Sequence, residues 1–145
     1  MKSTIIKFTL AALLVAGSQL CFAQCDKTVV LKSSKTNFVN DKGEIERTQD
    51  QKAVITITKT QIDISVDGDS KMSGTVKVEK CDWPTAFKTG KTVLKATVYD
   101  NNDNEQKATI TITGADNKVT LLYEAGEQGE RKILVTADSF EEKKA

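Results

Sequence analysis

The 145-residue chain contains no histidine. That removes the side chain that most often serves as general base or metal ligand near neutral pH. Its three cysteines, Cys21, Cys25 and Cys81, show no Cys-x-x-Cys spacing, which excludes a thioredoxin-type redox pair and a paired-cysteine zinc site. There is no Gly-x-Ser-x-Gly and no P-loop, so neither a nucleophile elbow nor a phosphate cradle is encoded. The acids that fall within clear strand patterns, Asp63, Glu79 and Asp138, have outward parity, and solvated carboxylates make poor acid–base pairs. Together these absences indicate a protein that is not an enzyme and carries no cofactor or metal.

Long apolar runs are also lacking. The longest, Leu10 to Ala16, follows Lys2 and Lys7 and is too short to span a bilayer. Positive charge, a short apolar stretch and a small residue at Ala23 have the form of an export leader over residues 1–24, processed near Gln24. No second apolar segment follows, so no integral membrane segment is expected after processing. A lipid on Cys25 is the alternative, but Gln24 stands where lipidation signals want a small residue. The leader suits a bacterium, and the expected destination is the periplasm or the exterior.

Removing the leader takes two lysines and no acid, which moves the formal net charge from +1 to −1. A nucleic-acid or anionic-membrane binder needs a basic surface, so no nucleic-acid partner is expected. Residues 25–145 are the size of one domain. In an oxidising compartment the remaining pair, Cys25 and Cys81, reads as a disulfide. Closing a loop of this length stabilises by roughly 4 kcal/mol in the chain-entropy model.

What the chain has in abundance is period-two alternation. In AVITITKTQIDISV, Ala53 to Val66, residues Ala53, Ile55 and Ile57, then Ile62, Ile64 and Val66, share one face. Alternation of β-branched residues predicts strands with one buried and one wet face. Lys59-Thr60 connects them. The pattern recurs in Thr28–Lys32, Met72–Lys80, Thr92–Tyr99, Lys107–Thr113, Val119–Tyr123 and Ile133–Ala137. Asn40–Gly43, Asp67–Ser70, Asp100–Asn104, Gly114–Asn117 and Gly126–Gly129 have turn chemistry. Ser33–Lys35 reads as a bulge, Arg47–Lys52 as a loop, Cys81–Gly90 as an irregular connection and Glu141–Ala145 as a frayed tail. Gly74 within a strand marks a bend or a close backbone approach. Asp100, Asn102 and Asn104 have calcium-loop spacing. Glu105 stands where such a loop needs glycine, however, and Thr111 where it needs glutamate, so a turn is expected.

No stretch has a helix period. Short turns make sequence neighbours antiparallel neighbours. The fold class is therefore all-β: an up-and-down meander of about eight or nine strands, closed as a barrel because closure removes exposed edges. A two-sheet sandwich is the alternative. The architecture resembles the calycins, as in lipocalins and fatty-acid-binding proteins, although the Gly-x-Trp that many lipocalins carry near the first strand is absent.

Two functions fit such a barrel. The first is an apolar small molecule carried in the interior, with space left by Gly74, Ala53, Ala96, Ala108 and Ala137. The second is a packed, non-catalytic, envelope-associated module that contacts a protein partner at its surface. Trp83, Phe87 and Tyr123 are the candidate ligand or partner contacts. The competing structural role for Trp83 is packing over a Cys25–Cys81 bridge, and for Phe87 plugging the barrel end. Surface threonine rows are also encoded, as on a flat ice-binding or carbohydrate-binding face, but no Thr-x-Thr register is sustained over enough strands to identify either.

Overall fold

The computed structural model describes residues 24–126 and 129–143, so the leader and the turn residues 127–128 lie outside the described part. Alternating segments become strands β1 Val29–Val39, β2 Ile45–Ile57, β3 Gln61–Val66, β4 Ser70–Thr85, β5 Thr89–Tyr99, β6 Glu105–Ala115, β7 Lys118–Ala125, β8 Arg131–Thr136 and β9 Ser139–Glu142. The described residues contain no helix. Each strand from β1 to β8 pairs antiparallel with the next, and β8 pairs back onto β1. The result is a closed eight-stranded up-and-down barrel, calycin-like in architecture, with one additional strand. No described helix is long and apolar enough to cross a membrane.

Closure depends on β1 serving two partners along one edge. Thr36–Val39 pairs with β8, whereas Val29–Lys32 pairs with β9. The register of β1 against β2 slips between Ser33 and Lys35, where the sequence predicts a bulge. A bulge bends a strand and increases its twist. Here it divides β1 into the half that β8 closes and the half that β9 closes.

The turns follow their residue chemistry. Asp116 and Asn117 both take positive φ, at 52° and 62°, and join Ala115 to Lys118 in the tight hairpin whose twist matches the strands. At Lys59-Thr60, which lacks such residues, the Thr58 hydroxyl accepts the Gln61 N–H at 3.0 Å. Asp100 accepts the N–H groups of Asn102 and Asn104 at 2.8 and 3.0 Å. Those bonds hold its carboxyl below the usual range, the Asn104 side-chain amide contributing most. The Asp100 carboxylate thus caps a turn.

Three local expectations need correction. Arg47–Lys52 is strand, because pairing with β1 through Phe38↔Arg47 and Thr36↔Gln49 supplies backbone partners that outweigh its polar composition. Cys81–Thr85 continues β4 past register shifts at Val78/Lys80 and Asp82/Thr85. Glu141 and Glu142 do not fray, since both lie in register with β1.

The inward faces form one core, in which Leu31, Ile62, Leu94, Val98, Ile110 and Ile112 are fully buried. Gly74 pairs with Val98. A Cβ there would overlap the Thr97 carbonyl, and backbone cannot move aside as a side-chain tip can. Gly74→Ala is therefore expected to cost about 3 kcal/mol, the upper end of overpacking penalties, measured as a lowered urea midpoint with strand circular dichroism retained.

Candidate functional site

Trp83, near the end of β4, and Phe87, in the β4–β5 turn, come together on Phe140 at one end of the barrel. The Trp83 ring lies 5.5 Å from that of Phe140, and Phe87 meets Phe140 edge-on at 5.3 Å. Trp83 is fully buried, and its Nε1–H donates to Thr92 Oγ1 at 2.7 Å. Its seat is made by absence. Gly90 and Gly114 face each other across β5 and β6. A Cβ on Gly114 would stand 2.7 Å from the indole, and one on Gly90 would meet it at 2.5 Å. The glycine pair is the hole that receives the ring.

The Cys25–Cys81 disulfide joins the start of the described chain to this end, with Cα atoms 6.1 Å apart. Gln24 is buried beside it, and its Oε1 accepts the Phe87 N–H at 2.7 Å. Phe87 has φ +62°, a conformation that costs a bulky residue of order 1–3 kcal/mol. The Gln24 bond and the Phe140 contact hold it there. Both aromatics thus have their polar and apolar needs met inside the fold, as an end plug.

Tyr123 sits apart from them, on the inward face of β7. Its O–H donates to Gln106 Oε1 at 2.6 Å, and burial pushes its phenol above the usual range, with Arg131 opposing weakly. The structure therefore joins Trp83 to Phe87 and separates Tyr123 from both.

Between plug and core lies a small cavity of about 30 Å³, open in part to the surface beside Lys27 and Val78 and lined within by Val29, Ile57, Thr92, Leu94, Ile112 and Phe140. That is room for one water. The larger concavity is outside. A basin of about 740 Å³ crosses the outer face of β4 to β7, lined by Thr75, Lys77, Lys95, Thr97, Lys107 and Thr109 and bounded by Glu124, Gly126 and Gly129. Behind it the inner row runs Val76↔Ala96↔Ala108↔Ala125. The outer basin thus lies on the opposite face of the row that carries the smallest inward side chains.

Register places the basin side chains in two rows. Thr75, Thr97 and Lys107 form one, and Lys77, Lys95, Thr109 and Glu124 the next. Lys77 and Lys95 stand directly opposite each other, an arrangement that destabilises a sheet. Lys95 Nζ donates to Thr109 Oγ1 at 2.9 Å. Among the described residues, none of the three lysines pairs with a carboxylate. Tyr99, 42% exposed, lies on the same face one row beyond Thr97. Its O–H donates to Glu105 Oε2 at 3.0 Å, and that bond, with the carboxylate charge, raises its phenol above the usual range. Sequence parity marks most of these residues as outward but cannot show that they share rows.

A buried neutral phenol makes stability pH-dependent. Below the ordinary tyrosine range both folded and unfolded states are protonated and stability is constant. Above about pH 10 the unfolded state ionises first, so folding weakens as pH rises towards the folded value. Tyr123→Phe is expected to remove this component of an alkaline denaturation curve. At neutral pH it should cost about 1 kcal/mol for the lost Gln106 bond. An unchanged alkaline curve would show that Tyr123 ionises freely.

Comparison with protein-family models, with curated proteins and with solved structures finds no match to this chain.

Proposed function

We propose that this protein is an exported, non-catalytic binding module whose filled barrel is a scaffold and whose contacts are made on the outer surface. The observation that carries this reading is the lumen. A carrier of this architecture must keep a space of a few hundred Å³ for its ligand. Here the inward side chains form one continuous buried core, and the space between plug and core is about 30 Å³. The small inward residues from which a hollow carrier is inferred, Ala96 and Ala108, are buried and lie beneath the outer basin.

Export is supported by the disulfide, which persists in oxidising compartments. A bridged Cys25 has no thiol left for a lipid. The non-catalytic reading rests on the absence of histidine and on the solvent exposure of Asp63, Glu79 and Asp138.

Two measurements test this. If the lumen is full, Ala96→Leu and Ala108→Leu each force methylenes into packed space and lower unfolding free energy by roughly 1–3 kcal/mol, and the parent protein does not enhance anilinonaphthalene sulfonate fluorescence. Tolerance of both substitutions together with dye uptake would establish the interior carrier instead. Intact mass of protein purified from its own host should give a chain beginning near Gln24 that gains two hydrogens on reduction. A lipid-sized increment at Cys25 would overturn soluble export.

A further inference from the structure

The outer basin is where the surface holds chemistry that the fold does not use. The barrel gains nothing from placing Lys77 opposite Lys95. Like charges across a strand pair repel, and Lys107 adds a third ammonium one row away. Cations gathered in a concavity concentrate the local potential and attract anionic groups.

Four further features narrow the class of anion. The two lysine-bearing rows lie two residues apart along the strands, about 7 Å, so an extended ligand meets both while a compact inorganic anion meets one. Thr75 and Thr97 stand opposite each other, and Thr109 stands opposite Lys95. Hydroxyls both donate and accept, which matches a ligand that is itself rich in hydroxyls. The exposed Tyr99 ring is the one aromatic surface on this face, one row beyond the basin. An aromatic ring with an anchored hydroxyl offers an apolar platform beside a polar edge, suited to the C–H face of a sugar. Glu124 closes the β7 side and turns the anionic groups towards the lysines.

We propose that the basin over β4 to β7 binds an acidic oligosaccharide, with Lys77, Lys95 and Lys107 taking its carboxylate or sulfate groups, the threonines its hydroxyls and Tyr99 a ring face. This rests on the reading of the barrel as a filled scaffold. A nucleic acid offers anionic charge as well. But a strand binder stacks successive bases on several aromatics along a basic groove, and here there is one ring and a net charge of −1 without the leader.

The test is a titration of the isotopically labelled protein, followed by amide and alanine-methyl resonances at low salt. The probes are hexagalacturonate, neutral maltohexaose and a thymidine oligonucleotide of the same length. Hexagalacturonate should shift amides of Thr75–Lys77, Lys95–Thr97 and Lys107–Thr109, more weakly as salt is added. The double variant Lys77→Ala/Lys95→Ala should weaken binding by about tenfold or more, with a melting temperature unchanged or raised because a repulsion has gone. Tyr99→Ala should also weaken it. The proposal is overturned if hexagalacturonate causes no shifts, if the double variant binds like the parent, or if maltohexaose or the oligonucleotide binds as tightly. Those failures leave the Ala96 and Ala108 methyls silent and the scaffold reading intact. Movement of these methyls on adding anilinonaphthalene sulfonate shows instead that the scaffold reading has failed, and the basin proposal with it.

Discussion

A small closed barrel has little freedom in how it fills its interior. The strand count sets the circumference, every second side chain must point inward, and a void the size of a side chain is costly. In this chain the inward side chains vary in size around the wall. One row is bulky, with Leu94, Ile110 and Tyr123. The row Val76, Ala96, Ala108 and Ala125 is small, yet all four residues are buried, and the outer basin lies on the opposite face of it. Gly74, which brings β4 against the β5 backbone, is the extreme case of a small inward residue.

The plugged end answers the same constraint differently. At this end the chain closes the barrel with one large ring, carried near the end of β4. Trp83 fits because two strands each give up a Cβ at Gly90 and Gly114. The ring's one polar atom is satisfied by Thr92. Gln24 and the Cys25–Cys81 bridge then fasten the start of the described chain over the assembly. The strained backbone of Phe87 is held from two sides by these neighbours, which ties it to structure here.

Alternation made the strands, their inward residues and the disulfide legible in the sequence, along with the bulge at Ser33–Lys35 and the close approach at Gly74. These depend on local pattern or on a count of two cysteines. The ends of strands were not legible. Arg47–Lys52 and Cys81–Thr85 are polar or irregular in composition, and only a distant partner strand makes them extended. The basin was hidden for a related reason. Lys77, Lys95 and Lys107 are each unremarkable outward residues, and their grouping exists only in the cross-strand register. The small inward alanines were visible, but composition alone does not say whether a small residue leaves a hole or lies in a packed core.

The double partnership of β1 also orders events in time. Its partners on the closing edge lie in Arg131–Glu142, about a hundred residues further along the chain. Every other neighbour in the barrel is joined by a short turn and pairs locally. Contacts of such long sequence separation form late, because their loop-closure entropy must be overcome first. A chain emerging from its amino end can therefore build a curved sheet from β1 to β7, and even join Cys25 to Cys81, while one edge of β1 stands open. Until the last strands arrive, that edge is a template for pairing with another chain. Residues 131–142 thus complete the barrel and also end the interval in which it is most prone to aggregate.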